Sequence, residues 1–358
     1  MTGVVDAKFW CGRRVLLTGH TGFKGAWTAL WLTRLGADVL GLALPPDTDP
    51  SLFDALGSLP GLESRFADIR DAESVAKLVE AYAPEIVIHM AAQALVFRSY
   101  REPRATFATN VLGTANLLEA IRAISSVQAV LVVTSDKVYR NQEDGRALTE
   151  ASPLGGDDPY SASKVATEIA AASWSSSYFV PRGIPVVTAR AGNVIGGGDW
   201  AENRLVPDIW RAVRADVGLT LRSPDATRPW QHVLDCIAGY LVYLQAVAEQ
   251  PAGRLPHALN FGPPLGHGIK VTQIAEAFLL SLGRSPQWNH GTIPQIPEKR
   301  LLQLDPGLAA KVLGWRTRLD FEKTLSWTAE WYRAFDRGAN MREVSGAQIA
   351  AYQEILAS

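Results

Sequence analysis

The sequence predicts an α/β protein built on a doubly wound parallel sheet, with a smaller mixed α/β region after it. Three observations lead there. Short apolar, β-branched runs recur roughly every 20–50 residues with helical stretches between them, as βαβ units require. The runs are apolar throughout rather than alternating, as strands covered on both faces must be. The first run leads straight into a glycine-rich turn that opens a helix.

Taken in chain order, the first strand is read at Val15-Leu16-Leu17, followed by a helix to about Leu35. Asp38–Leu44 is the second strand, and a third ends before Asp68-Ile69. Glu85–His89 (EIVIH), Ala129–Thr134 (AVLVVT) and Pro185–Arg190 (PVVTAR) continue the series. Amphipathic helices are expected over about Arg104–Ile124 and Tyr160–Tyr178. Past residue 190 the chain changes character: Trp and Pro are more frequent, and short strands at Leu219–Leu221 and Ala258–Phe261 break the alternation. A soft boundary there separates residues 1–190, a cofactor-binding domain, from 191–358, a substrate domain, with some chain crossing back.

Composition narrows the function. Lys plus Arg number 35 and Asp plus Glu 36, so the net charge of -1 lacks the basic excess of a nucleic-acid binder. No apolar run approaches the roughly 18 residues of a membrane span. The run up to Arg14 lacks the apolar stretch of a secretory leader. Cys11 and Cys236 form neither a disulfide framework nor a metal cluster. The histidines (His20, His89, His232, His257, His267, His290) lack zinc-ligand spacing, so no metal is expected. The expectation is a reduced, cytoplasmic protein with a full core and neither nucleic acid nor membrane as partner.

The turn reads Thr18-Gly19-His20-Thr21-Gly22-Phe23-Lys24-Gly25, with glycines spaced G-x-x-G-x-x-G. In a dinucleotide site the first allows the tight turn, the second admits the pyrophosphate, and the third lets the helix pack closely on the strand. Free N–H groups and the positive dipole end at the helix start favour phosphate. Strand before and helix after are the required context, so the sheet is read as Rossmann-type. The carboxylate expected on the adenosine ribose is not clear, because the second strand ends at Leu44-Pro45-Pro46 and the nearest carboxylate is Asp47. No Arg stands beside Leu44–Pro46 for a 2′-phosphate, which favours NAD over NADP without deciding between them.

Ligands of such sheets sit beyond the carboxyl ends of the strands. Those ends carry Asp68-Ile69, His89-Met90-Ala91-Ala92-Gln93 and Thr134-Ser135-Asp136-Lys137-Val138-Tyr139. Next comes Tyr160-Ser161-Ala162-Ser163-Lys164, opening an alanine-rich helix that puts Tyr and Lys on one face. An ammonium beside a phenol favours the phenolate, so Lys164 is expected to draw Tyr160 toward working pH as a base. Ser161 and Lys164 also fit the S-x-x-K of penicillin-binding enzymes, but S-D-N and K-T-G are missing. His89 reads as a satisfied core residue, and Trp327 and Trp331 as helix packing.

Longer motifs then align: GHTGFKGAW (19–27), HMAAQ (89–93), TSDKVY (134–139), RAGNVIGGGDW (190–200), RLVPD (204–208) and RPWQHV (228–233). Over roughly residues 8–330 the chain resembles the extended short-chain dehydrogenase/reductases, specifically the nucleotide-sugar 4,6-dehydratases. Lys137 together with GGGDW points to their CDP-hexose branch. The resemblance implies NAD as cofactor, bound by Thr18, Gly19, His20, Gly22, Phe23, Gly25, Asp68, Ile69, Ala91, Ala92, Asn110, Tyr160 and Lys164. It implies catalysis by Ser135, Asp136, Lys137, Tyr160 and Lys164. Tyr160, helped by Ser135 and Lys164, takes the 4-hydroxyl proton; Lys137 takes the C5 proton; Asp136 protonates the departing 6-hydroxyl. Gln93, Asn193, Arg204, Arg228 and Asn260 would meet the nucleotide sugar, with Arg228 on the pyrophosphate. A homodimer through the two long helices is also implied, with Leu112, Ala115, Leu118, Ala166 and Ala170 at helical spacing.

Two departures from the family pattern stand out: Phe97 where an Arg is usual, with Arg98 following, and the segment Pro297–Asp305. A nucleotide-sugar 4-epimerase or reductase on the same fold is the alternative, and a non-catalytic cofactor-binding regulator a remote one.

Overall fold

A computed structural model describes residues 3–266, 268–291, 299 and 301–357. His267 and positions 297, 298 and 300 of the divergent segment lie outside the described residues. Strands β1 (Arg14–Thr18), β2 (Asp38–Ala43), β3 (Leu62–Phe66), β4 (Ile86–His89), β5 (Ala129–Val133), β6 (Val186–Ala191) and β7 (Ala258–Phe261) form one sheet. Their order is β7-β6-β5-β4-β1-β2-β3, and every pairing is parallel. The order reverses at β1, which pairs with both β2 and β4 and brings Thr18 level with Leu42 and His89. That is the switch point where a ligand crevice opens.

Helices cover both faces. The ones that matter here are α1 (Phe23–Arg34), α2 (Ala72–Tyr82), α3 (Gly113–Arg122), α4 (Pro159–Trp174), α5 (Leu205–Ala215), α6 (Val233–Ala248), α7 (Phe321–Asp336) and α8 (Met341–Ala357). Alternate strand residues divide the core. Val15, Leu17, Ile86, Ile88 and Leu131 pack with α1 and α6, whereas Leu16, Val87, Val130 and Val132 pack with α2 and α3. Both sets are fully buried, which is why the strands read as unbroken apolar runs. An aromatic cluster joins α5 to α7: Trp200 packs edge-on against Trp210, Trp331 and Tyr332.

Three features depart from the sequence reading. Ala258–Phe261 does not break the parallel pattern but extends it, pairing with β6 as the seventh strand. Its four residues carry no periodicity that could assign it to a sheet formed far earlier in the chain. The two expected helices are present but each contains a π-helical turn, Ala108–Leu112 ahead of α3 and Ser175–Phe179 after α4. Leu118 is fully buried in the core rather than on an outward face, because six residues beyond exposed Leu112 a regular helix points about 120° away from it.

Candidate active site

The glycine-rich turn follows β1 at the switch point. Gly19 has φ +78°, and a Cβ there would lie 2.7 Å from the Ala91 nitrogen, so only glycine fits. A Cβ on Gly25 would lie 2.0 Å from the Gly19 carbonyl oxygen, which is what close packing of helix on turn demands. At Gly22 a Cβ would meet only that same oxygen, at 3.5 Å, and no side chain caps α1. No side chain competes for the N–H groups that open α1, and the cradle fits a dinucleotide pyrophosphate.

Side chains around the turn brace it. Thr18 Oγ1 meets His89 Nδ1 at 2.7 Å and accepts the Met90 and Ala91 N–H groups at 3.1 Å. His89 Nε2 meets Thr114 Oγ1 at 2.9 Å, and burial, aided by the Lys164 charge, drops its pKa to about 3; it is a neutral core residue, as expected. His20 turns away under β2, with Nε2 2.7 Å from Ser64 Oγ and its pKa lowered to about 4 by burial. Phe23 opens α1. Asp68 lies past β3 with its carboxylate on Arg70, and Ile69 is buried against Gly113. The π turn directs Asn110 toward the loop after β4: its Oδ1 accepts the Gln93 N–H at 2.8 Å and its Nδ2 donates to Ser163 Oγ at 2.8 Å. Ala91 and Ala92 are half-buried on that loop.

The carboxyl end of β5 faces the first turn of α4. Asp158 caps that helix and Pro159 starts it. Tyr160, 8% exposed, donates its N–H to Ser99 Oγ at 3.1 Å. Burial pushes the Tyr160 phenol up to about 12, against the lowering effects of the Ser135 hydroxyl and the Arg204 charge. The expected lowering by Lys164 is not what the surroundings favour. Lys164 donates to the Val133 carbonyl at 3.1 Å, and burial with the Lys24 charge brings its own pKa down to about 7. Burial raises Asp136 above the usual carboxylate range, although Lys137, Ser135 and Arg228 oppose it. Its Oδ1 accepts from Ser135 at 3.0 Å, and its buried Oδ2 has no partner among the described residues. A carboxyl group with a raised pKa and an oxygen still open to a partner is suited to deliver a proton.

Past β6, Asn193 is half-buried and its carbonyl accepts the Gln231 N–H at 3.0 Å. Arg204, just before α5, pairs with buried Asp199 at 2.9 Å. Arg228 is 9% exposed, and its Nη1 donates to the Thr227 carbonyl at 3.0 Å. Two predicted residues are engaged internally. Gln93 holds Thr106 and the Leu95 N–H, and Asn260 holds the Tyr139 hydroxyl and two carbonyls. What they offer the crevice is its shape.

Sequence reasoning missed three contributors. Lys24 lies over the Tyr240 ring, its Nζ 3.5 Å from the phenol oxygen, with its pKa lowered chiefly by burial. Glu168, one turn beyond Lys164, holds Arg190, Thr134 and Thr188. Asp199 aims Arg204. Lys24 had a signal, as a cation inside the glycine motif, and so did Asp199, as the carboxylate of GGGDW; Glu168 had none.

Fold, cradle and acid–base cluster together define a dinucleotide-binding oxidoreductase-type protein. The chain belongs to the NAD dependent epimerase/dehydratase family, whose profile matches residues 15–262. It is 41% identical over 354 residues to CDP-glucose 4,6-dehydratase from Salmonella typhimurium, covering 98% of each chain. A dTDP-glucose 4,6-dehydratase from Xanthomonas campestris is 28% identical, covering 88% of this chain and 92% of that one. Among solved structures, the dTDP-glucose 4,6-dehydratase DesIV from Streptomyces venezuelae, with NAD bound, superposes with a TM-score of 0.77 at 26% identity, covering 91% of this chain and 98% of that one. A UDP-glucose-4-epimerase from Stenotrophomonas maltophila gives 0.79 at 26% identity, covering 91% and 100%.

Proposed function

We propose that the protein catalyses NAD-dependent 4,6-dehydration of a nucleotide-activated hexose, converting CDP-D-glucose to CDP-4-keto-6-deoxy-D-glucose. The whole-length similarity to a CDP-glucose 4,6-dehydratase supports the substrate. The observation that carries the chemistry is that two acid–base sets share one strand–helix corner, Ser135-Asp136-Lys137 beyond β5 and Tyr160 with Lys164 on α4.

Tyr160 takes the 4-hydroxyl proton as its phenolate, the form that the Ser135 hydroxyl and the Arg204 charge favour against the effect of burial. When bound, NAD supplies the hydride acceptor for C4 and the hydride donor for C6, and so ends the cycle unchanged. The C4 carbonyl acidifies C5, and Lys137 removes that proton and gives it back to C5 once water has left, so that the 6-deoxy product carries hydrogen there. Asp136, whose proton affinity burial raises, gives its proton to the 6-hydroxyl, which leaves as water. Arg228 and Arg204 hold the pyrophosphate with planar donor pairs, and Asn193 lines the sugar side. An epimerase needs the tyrosine and lysine but gives Asp136 and Lys137 no proton to move.

The working unit in this reading is a homodimer joined through α3, α4 and the π turns beside them. Leu112, Ile169, Phe107 and Tyr178 support it, as large apolar side chains left exposed there.

Incubation with NAD and a panel of nucleotide hexoses tests the activity. The expected result is the base-stable absorbance of a 4-keto-6-deoxy product, fastest with CDP-glucose. Production of a C4 epimer instead would overturn it.

A further inference from the structure

Because β1 lies between β4 and β2, any link from the segment after β2 to the segment after β4 must cross the glycine-rich turn and the start of α1. Arg98 makes that link. It sits on the short helix Val96–Arg101 beyond β4, and its Nη1 pairs with Asp47 beyond β2. Its Nε reaches Glu202, in the loop between β6 and α5, at 3.3 Å, and Arg101 joins the same carboxylate at 2.7 Å. One guanidinium thus ties together the loops on both sides of the crevice, its planar fork of five donors reaching both carboxylates at once with a reach and geometry that a lysine ammonium matches less well.

The two ends of this link differ. The Arg98 side chain is 25% exposed and Asp47 is 68% exposed, so the cation is the anchored end and the Asp47 loop the end that can swing. The helix is held from the substrate side as well. The Arg222 guanidinium lies 4.4 Å from the centroid of the Phe97 ring and binds Asn203, next to Glu202, at 2.6 Å. Asp47, the carboxylate nearest the end of β2, is therefore committed to Arg98.

We propose that Arg98 is a further cofactor-positioning residue: with Asp47 and Glu202 it forms an ionic strap over the dinucleotide crevice and sets how long the cofactor stays bound. The chemistry makes residence matter, since a cofactor lost between oxidation and reduction strands the sugar intermediate. Partly exposed ion pairs are individually weak, so the strap can open for loading and still slow escape.

The inference rests on the cofactor of the proposed function and not on the sugar. Protein loaded with NADH is mixed rapidly with excess NAD, and the decay of NADH fluorescence gives the release rate. Arg98→Gln should release NADH about tenfold faster, Asp47→Asn about threefold faster, and Arg98→Lys should fall between wild type and Arg98→Gln. Raising salt from about 0.05 to about 0.5 M should speed release from wild type and leave Arg98→Gln nearly unchanged. Release within about twofold of wild type for both neutralised variants, with no difference in salt response, overturns the strap. If Arg98→Gln does not fold, exposed Asp47→Asn and the wild-type salt series decide the matter. Wild type that binds no NADH would instead overturn the cofactor reading.

Discussion

The two acid–base sets should fail differently when a single residue is changed. Tyr160→Phe removes the first base, so no reduced cofactor should form when substrate is added. Lys137→Met leaves oxidation intact, so the absorbance of bound NADH should rise and persist while product formation drops at least ~10²-fold. Near wild-type product formation by Lys137→Met would shift the balance to the epimerase reading. Asp136 adds a pH test. Burial raises its pKa, so it works as an acid while protonated, and the rate should decline as pH rises through that value. In Asp136→Asn that basic limb should vanish from the pH–rate profile along with most of the activity. A limb unchanged in the variant would show that another group sets it.

Helices and strands are locked together by buried charge. Glu168 on α4 receives Arg190 from β6 through two bonds of 2.9 and 2.8 Å, plus Thr134 and Thr188, while Arg190 also donates to the Tyr139 hydroxyl. Against the cost of burial, Arg190 and the two hydroxyls hold Glu168 below its usual pKa. Arg190→Leu strands that carboxylate, and urea unfolding should show a loss of about 3–5 kcal/mol. A loss under about 1 kcal/mol would mean that α4 is held by packing alone. Asp235 on α6 plays the opposite part. It accepts from the Arg318 and Leu319 N–H groups and the Tyr352 hydroxyl, tying α6 to the C-terminal segment, and burial lifts its pKa to about 6. A carboxyl raised from 3.8 in this way stabilises the fold fully below its unfolded pKa, and that contribution is lost as pH rises through about 6. Wild type should therefore lose on the order of 3 kcal/mol more than Asp235→Asn between about pH 4 and pH 8. Equal slopes in the two proteins would remove Asp235 from the account.

The assembly is decided at the scale of the molecule. Leu112, in the π turn before α3, and Ile169 on α4 are 60% and 61% exposed, and Phe107 and Tyr178 are further large apolar side chains left exposed beside these helices. Light scattering should give twice the 38.8 kDa chain mass, and Leu112→Glu with Ile169→Glu should return a single-chain mass. A monomeric wild type at micromolar concentration would reject the dimer. This patch is also where sequence periodicity misleads. Leu112, Ala115 and Leu118 recur every three residues, yet each such step turns back about 60° on a regular helix, so Leu118 comes to face the core.

What the sequence determined by itself was local. Apolar runs specify strands buried on both faces, the G-x-x-G-x-x-G turn specifies where phosphate can approach, and Y-x-x-x-K places two groups on one helix face, because each depends on residues a few positions apart. Strand order, and with it the seventh strand at Ala258–Phe261, was decided by pairing across dozens of residues. So were the protonation states. Tyr160 sits high and Lys164 low because the depth of burial, with the charge of Asp136 beside the one and of Lys24 beside the other, outweighs the four-residue spacing. The same holds for partners: in sequence Arg98 is a displaced family arginine, and only the fold sets Asp47 and Glu202 on either side of it. Spacing fixes which groups a short segment offers. Desolvation and long-range charge depend on what the rest of the chain brings against them, and only the tertiary structure supplies that.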